Sequence, residues 1–117
     1  MKVLFVDDDL LTAEWVEIYL KSNNIETKMA ASVPAAIECL REWLPDLIVS
    51  DLNFDGDHAF TLLDHLASNE RTIHIPVVAM TGYALEHSET QRFHGYLHKP
   101  VEPEQLLKLI NDVKGRA

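Results

Sequence analysis

The stretch KVLFVDD, residues 2–8, decides the fold, because an apolar run ends there at the adjacent acids Asp7 and Asp8. A second run, LIVS at residues 47–50, ends in the same way at Asp51. Continuous apolar runs of this length, alternating with helical stretches, are typical of parallel strands that are covered on both faces. The carboxyl ends of such strands meet at the edge of an open α/β sheet where ligands bind. We therefore expect the three acids to lie together at one edge.

The arrangement of these acids predicts a metal site. If the two strands are neighbours, their backbones lie roughly 4.8 Å apart. Two bare carboxylates ~4–5 Å apart repel each other by about 3–4 kcal/mol at an effective dielectric constant near 20. A positive charge should offset this repulsion, and a site built only from oxygen atoms suits Mg²⁺.

Composition limits the class of protein. The 117 residues, 47% of them hydrophobic, fit one globular domain that spans residues 1–117. The net charge of −9 argues against nucleic-acid binding, which needs a basic surface. The single cysteine, Cys39, excludes an internal disulfide, and its apolar neighbours predict a buried structural thiol. There is no signal-peptide pattern and no apolar run long enough to span a bilayer, so we expect a cytoplasmic protein without membrane insertion.

Strand and helix alternate five times along the chain. The predicted strands are 2–6, 25–29, 47–50, 77–80 and 96–98. The predicted helices are 10–22, 33 to about 43, 58–68, a short helix within 84–92, and 103–114. Asp9 is the expected N-cap of the first helix, Pro45 the expected stop of the second, and Gly115 that of the last. The residues expected to be buried on the third helix are Phe60, Leu63 and Ala67. Five such units with right-handed connections predict a three-layer α/β sandwich.

Four short motifs follow four different predicted strands. In chain order they are Asp7-Asp8, Asp51, Thr81-Gly82 and Lys99-Pro100. Together, and in this order, they resemble the receiver domain of two-component response regulators, and the resemblance covers essentially the whole chain. It implies a flavodoxin-like fold whose five-stranded parallel sheet has the order 2-1-3-4-5, so that the first and third strands are adjacent.

The resemblance assigns chemistry to the acidic residues. Asp51 is the expected phosphoacceptor, a carboxylate nucleophile that takes a phosphoryl group from a phosphohistidine. Asp8 would bind Mg²⁺ directly and Asp7 through water, with Asp51 and the backbone carbonyl of Asn53 as further ligands. The cation would offset the repulsion between Asp51 and the incoming phosphate.

The resemblance also assigns the residues around the phosphate. The Lys99 ammonium and the Thr81 hydroxyl would contact phosphoryl oxygens, and Gly82 would leave room beside them. Tyr96 matches the aromatic switch position and is expected to turn inward when Thr81 moves toward the phosphate. The bond between Lys99 and Pro100 is expected to be cis.

Partners follow from the same resemblance. A receiver is a phosphoacceptor switch that catalyses only its own phosphorylation and dephosphorylation, so no separate enzymatic activity is expected. The donor would be a sensor histidine kinase or a histidine phosphotransfer protein, and an output domain or protein would act downstream. The output surface would consist of the short helix within 84–92, the fifth strand and the last helix. The resemblance is also compatible with a homodimer that forms through this surface. The short helix has few apolar residues and is expected to be the least stable element.

Some of these residues have an alternative structural interpretation. Asp7 and Asp8 could be helix-capping acids, which is the interpretation we favour for Asp9. Thr81 could cap the short helix, and Tyr96 could serve only in packing.

Two other functions share parts of the pattern. A Mg²⁺-dependent phosphatase acting through an aspartyl-phosphate intermediate would carry Asp-x-Asp after the first strand, whereas Asp51-Leu52-Asn53 follows the third. A flavodoxin-like electron carrier would need a phosphate-binding loop after the first strand, where three consecutive acids repel phosphate instead. The chain is expected to be either a free-standing receiver or a receiver excised from a larger protein, as the N-terminal part of a longer regulator or as part of a hybrid kinase.

The segment after Asp51 departs from the family's pattern. The family usually shows a Met-Pro pair followed by Asp-Gly, whereas here Asp55 replaces the proline and Ala59 replaces the second glycine. Asp55 and Asp57 add negative charge near the phosphate. We therefore expect weaker phosphoryl retention or a stronger dependence on Mg²⁺ than in a typical receiver.

Overall fold

The structure is a computed structural model that describes residues 1–52, 58–82 and 92–115. The strands are β1 (Lys2–Val6), β2 (Glu26–Ala30), β3 (Leu47–Asp51), β4 (Val77–Thr81) and β5 (Gly95–His98). The helices in these residues are α1 (Leu10–Ser22), α2 (Val33–Leu40), α3 (His58–Ala67) and α4 (Pro103–Gly115). None of these described helices combines the length and the apolar character needed to cross a membrane. The predicted short helix (all but its last residue), Asn53, Asp55 and Asp57 lie outside the described residues.

The five strands run parallel in the order β2-β1-β3-β4-β5, which confirms the predicted fold and the adjacency of β1 and β3. Val6 stands opposite Ser50 where β1 and β3 end. Asp51 stands opposite Met80 on β4. The sheet therefore brings the carboxyl ends of β1, β3 and β4 side by side.

Alternate residues of β1 pack into two apolar cores, one on each side of the sheet. α2 and α3 cover the side that receives Leu4 and Val6. α1 and α4 cover the other side, which receives Val3 and Phe5. Every residue of β3 and of β4 is buried, as expected for parallel strands with helices on both faces.

α1 begins where the sequence predicts, because Asp9 caps it. Asp9 Oδ1 accepts hydrogen bonds from the backbone N–H of Leu11 at 3.0 Å and of Thr12 at 3.5 Å. Asp9 Oδ2 accepts one from the Thr12 hydroxyl at 2.9 Å. These bonds satisfy N–H groups that a helix leaves unpaired in its first turn, and those from Thr12 lower the pKa of Asp9. The cap fixes the start of α1 directly after Asp7 and Asp8.

α2 ends at Leu40, earlier than the predicted stop near Trp43. The turn that follows places Trp43 over the sheet, where its Nε1 donates to Glu26 Oε2 at 3.0 Å. The Nζ atoms of Lys28 and Lys2 lie 5.0 Å and 6.0 Å from the centroid of the indole ring. A helix continued through Trp43 would lose these cation–π and hydrogen-bond contacts, so packing on the sheet ends the helix before the proline can.

α3 buries Leu63 as predicted, but the rest of its buried face differs from the prediction. Leu62, Leu63 and Leu66 are buried, whereas Ala67 is exposed and Phe60 is only partly buried. Leu63 belongs to both faces, and where α3 packs against α2 the buried neighbours of Leu63 are Leu62 and Leu66 rather than Ala67.

The remaining differences are small. β2 runs Glu26–Ala30 instead of 25–29. α4 includes Gly115 rather than stopping before it. Cys39 is half-buried rather than buried, and it packs against the core that α2 and α3 share.

Candidate functional site

The polar residues predicted at the strand ends meet at the carboxyl edge of the sheet. Asp7 follows β1, Asp51 ends β3 and Thr81 ends β4. All three are buried, with exposed fractions of 3%, 2% and 0%. Burial of ionisable and polar groups is unfavourable unless they are paired, hydrogen-bonded or bound to an ion. Their concentration at one edge therefore indicates a functional site.

Lys99 completes the site from the end of β5. Its Nζ lies 3.0 Å from Asp51 Oδ1, and its side chain is 26% exposed. The Lys99 backbone N–H donates to the Thr81 carbonyl at 2.7 Å, and the peptide bond to Pro100 is cis, as predicted. The ammonium group thus neutralises the buried carboxylate and lies where it can also contact a phosphoryl group on Asp51.

Asp7, Asp8 and Asp51 form an acidic triad. Each offers one carboxylate oxygen, and these three atoms lie within 4.8 Å of one another. Asp8 is exposed, whereas the other two are buried. The triad therefore has an inner side against the sheet and an outer side open to solvent.

One carboxylate oxygen of Asp7 has no hydrogen-bond partner among the described residues. Oδ1 accepts a hydrogen bond from the Asp9 backbone N–H at 2.8 Å, whereas the buried Oδ2 accepts none from the described residues. Burial raises the pKa of Asp7 to about 6; the Asp9 N–H opposes this rise, and the negative charge of Asp51 adds to it. The ionised form of Asp7 would be stabilised by a cation against Oδ2.

The donor atoms of the triad fit Mg²⁺. This ion binds carboxylate oxygens and retains several water molecules, which the exposed side at Asp8 allows. Three ionised carboxylates and the Lys99 ammonium sum to −3 + 1, a net charge of −2. The charge of a divalent cation matches this excess.

Tyr96, the predicted switch residue, lies on the edge strand β5 and is 42% exposed. Its ring packs edge-on against His98, with centroids 5.5 Å apart and an angle of 85° between the planes. Thr81 stands opposite His98 in the pairing of β4 with β5. The predicted inward turn of Tyr96 would therefore start from an outward position, next to the residue that pairs with Thr81.

Two features of the site were not predicted from the sequence. A cleft of about 470 Å³ lies beside Lys99. Leu10, Leu11 and Ile18 of α1 are exposed to 72%, 76% and 71%. Only the exposed stripe had a sequence signal, because helical periodicity places Leu11 and Ile18 on one face, separate from the buried face of α1.

Comparisons with known proteins give one consistent family. Residues 3–111 match the family model of the response regulator receiver domain. A 14.6 kDa protein in the sodA1 3′ region of Leptolyngbya boryana is 30% identical over 94% of this chain and 87% of its own length. The polar-differentiation response regulator DivK of Brucella ovis is 27% identical over 98% of this chain and 97% of its own. The chemotaxis response regulator CheY4 of Vibrio cholerae is 26% identical in sequence. Its structure matches this one with a TM-score of 0.86 over 96% of this chain and 97% of its own.

Proposed function

This chain belongs to the response regulator receiver domain family of two-component signalling, and we propose that Asp51 is the residue on which it accepts a phosphoryl group from a phosphohistidine donor. The observation that carries the proposal is the 3.0 Å ion pair between Lys99 and the buried Asp51. A carboxylate at a strand end can act as a nucleophile. The ammonium group fixed beside it stabilises the negative charge of the phosphoryl group that the carboxylate would receive.

The transfer balances without any further reactant. A carboxylate oxygen of Asp51 attacks the phosphorus while the P–N bond of the donor breaks, and the electron pair of that bond leaves with the imidazole nitrogen. The products are an acyl phosphate on Asp51 and a free imidazole. Lys99 can contact the carboxylate before transfer and the phosphoryl oxygens after it, because both groups occupy the same corner of the site.

We propose Mg²⁺ as the cofactor, with Asp7, Asp8, Asp51 and the backbone carbonyl of Asn53 as its ligands. The unpartnered Oδ2 of Asp7 and the net charge of −2 support this assignment. When bound, a divalent cation offsets the repulsion between the acids and the phosphoryl group and stabilises the charge of the transition state.

The readout we propose is a switch rather than a separate enzymatic activity. Thr81, buried at the end of β4, would donate to the phosphoryl group, and Tyr96 would turn inward in response. The surface that changes would comprise residues 84–92, β5 and α4, and it would contact an output domain, an output protein or a second copy of this chain. The outward ring of Tyr96, adjacent to the partner of Thr81, supports this route.

A protein donor is supported by the surface of α1. Leu10, Leu11 and Ile18 lie exposed on the helix that starts immediately after the acidic triad. Exposed apolar residues grouped beside a site are typical of a protein contact. We propose that a sensor histidine kinase or a histidine phosphotransfer protein binds there, in the cytoplasm.

The test is incubation with acetyl phosphate and Mg²⁺, followed by intact mass spectrometry. We expect a gain of one phosphoryl group that disappears in Asp51→Asn and when EDTA replaces the metal. Asp46→Asn, at the opposite end of the same strand, is the matched control and should be phosphorylated normally. Phosphorylation that persists in Asp51→Asn, or continuous release of phosphate from a phosphomonoester, would contradict the proposal, the latter in favour of a phosphatase.

A further inference from the structure

Asp7, which follows β1, is linked to the start of α1 through Asp9. The Asp9 backbone N–H donates to Asp7 Oδ1 at 2.8 Å. The Asp9 side chain caps α1, because its Oδ1 accepts from the Leu11 N–H at 3.0 Å and its Oδ2 accepts from the Thr12 hydroxyl at 2.9 Å. The same residue therefore caps the helix and binds a member of the acidic triad.

We propose that Asp9 is a positioning residue of the acidic triad: the α1 cap fixes which oxygen of Asp7 is hydrogen-bonded and leaves Oδ2 for the cation. The inference rests on the proposed function, because it concerns the Mg²⁺ ligands named there. It gives Asp9 a role beyond that of an N-cap, since the first strand-end motif stops at Asp8.

The backbone N–H of Asp9 is held in a fixed direction. The Asp9 backbone is extended, with φ −85° and ψ 107°, and its carbonyl accepts from the Ala13 N–H at 3.0 Å. Asp9 is thus bound to α1 by its carbonyl oxygen and by both carboxylate oxygens. A rotation that turned the N–H away from Asp7 would move these oxygens off their partners. The cap therefore holds the donor in place.

The hydrogen bond from Asp9 determines which oxygen of Asp7 remains available. The main chain of Asp7 is held by β2, because its N–H donates to the Ala30 carbonyl at 3.0 Å. Oδ1 is occupied by the Asp9 N–H, whereas Oδ2 is buried and has no hydrogen-bond partner among the described residues. One oxygen of each of Asp7, Asp8 and Asp51 lies within 4.8 Å of the other two. A carboxylate held through one oxygen is oriented before a cation arrives, which is what the outer partners of metal ligands do.

Two simpler roles of Asp9 would give different results. A residue that acts only as a cap stabilises α1 and leaves the affinity for the cation unchanged. A residue that acts only through its negative charge attracts any cation near the triad. The positioning role depends on the cap and not on the charge, and asparagine and serine are N-caps as good as aspartate.

The experiment is a titration with Mg²⁺ of the unmodified protein and of Asp9→Asn, Asp9→Ser and Asp9→Ala. For Asp9→Ala, which removes the cap, we expect the dissociation constant to rise by about tenfold or more, as for other partners of metal ligands. For Asp9→Asn and Asp9→Ser, which keep a cap without the charge, it should stay within about threefold, because an exposed charge is screened by solvent and salt.

Ser32→Ala is the matched control, because it removes the N-cap of another helix that begins after a parallel strand. The Ser32 hydroxyl oxygen accepts from the Ala35 N–H at 3.1 Å at the start of α2. Both alanine variants should lose stability in urea, but the affinity for Mg²⁺ should fall only in Asp9→Ala. An equal loss of affinity in both variants would overturn the proposal, since any lost cap would then have the same effect.

A second readout uses the metal-free protein. The amide proton of Asp9 should exchange slowly with solvent, because it is hydrogen-bonded to a buried carboxylate. Thr12→Val removes the hydroxyl that holds Asp9 Oδ2 and should speed this exchange by about fivefold, the equivalent of one lost hydrogen bond. Thr12→Ser should restore the protection. Added Mg²⁺ should leave the Asp9 amide protected, since Oδ2 is the oxygen that takes the cation.

Three results would overturn the inference alone. They are an equal loss of affinity in all three Asp9 variants, an unchanged affinity in Asp9→Ala, and loss of the Asp9 amide protection when Mg²⁺ binds. Failure of the unmodified protein to bind Mg²⁺ would overturn the proposed cofactor, and this inference with it.

Discussion

The two ends of the parallel sheet are built in opposite ways. At the amino edge, polar groups are paired: the Lys2 N–H donates to Asp46 Oδ2 at 2.7 Å, and the Lys2 carbonyl accepts from the Asp46 N–H at 2.8 Å. At the carboxyl edge, Asp7 and Asp51 are buried beside each other with Lys99 as their described cation, and one Asp7 oxygen is left without a described partner. The fold is thus stabilised at one edge and strained electrostatically at the other.

This difference follows from what each edge does. Paired groups contribute to stability and leave nothing to react, whereas an excess of negative charge is relieved by binding a cation or a proton. Residues that weaken the isolated fold are therefore the ones that should serve the chemistry. Substitutions at the two edges should consequently have opposite effects on stability and unequal effects on reactivity.

The largest effect is expected for Lys99→Met, which removes the cation from the carboxyl edge. The rate of phosphorylation by acetyl phosphate should fall by about 100-fold or more, as for other single donors to a developing charge. The control is Lys28→Met at the Trp43 ring, which should leave the rate unchanged. Equal rates for Lys99→Met and the unmodified protein would remove Lys99 from the mechanism.

The next effect is a gain in stability for Asp7→Asn. The folded pKa of about 6 lies above the ordinary aspartate pKa of 3.8, so ionised Asp7 destabilises the metal-free fold at neutral pH. By linkage the substitution should raise the free energy of unfolding by about 1–3 kcal/mol at pH 7.5, and the gain should shrink as the pH falls through 6 toward 4. Urea unfolding of both proteins without metal, at about pH 7.5 and about pH 4, measures this gain. A loss of stability at the higher pH would contradict the electrostatic account.

A smaller effect is expected for the pH dependence of Mg²⁺ binding, which tests the same Asp7 carboxylate. Because protonation of Asp7 competes with a cation, the affinity for Mg²⁺ should be nearly constant above pH 7 and fall by up to about tenfold per pH unit below 6. Isothermal titration calorimetry in buffers of different ionisation enthalpy should show proton release near pH 6. Binding that is independent of pH between 5 and 8 would exclude Asp7 as a group coupled to the metal.

The smallest effect is expected at the amino edge, for Trp43→Phe. The ring is kept, but the hydrogen bond to Glu26 Oε2 is lost and the cation–π contact with Lys28 is weakened. The protein should be destabilised by about 1 kcal/mol, while phosphorylation stays within about twofold. A large change in phosphorylation here would mean that the two edges are coupled, and the contrast between them would fail.

The same contrast explains which parts of the structure could be predicted from the sequence. β1 and α1 were predicted at their observed boundaries, because an unbroken apolar run and the N-cap Asp9 are local signals. Asp51 and Lys99 were expected to meet because parallel strands bring their carboxyl ends together wherever the sheet order is known.

The errors occurred where a distant contact chose between similar local options. The end of α2 depends on the hydrogen bond that Trp43 donates to Glu26 of β2. The buried face of α3 depends on how this helix packs against α2. The unpartnered oxygen of Asp7 and the cleft beside Lys99 are properties of several chain segments at once, so no single stretch of sequence carries a signal for them.

The backbone around Asp51 has one more consequence. Asp51 is in register with Met80, and the N–H of the following residue, Leu52, donates to the Met80 carbonyl at 2.9 Å. The main chain that bears Asp51, the proposed acceptor, is therefore held by its pairing with Met80 of β4. If Asp51 is phosphorylated as proposed, we expect β3 to keep its pairing with β4, so that the groups approaching the phosphoryl group make the rearrangement.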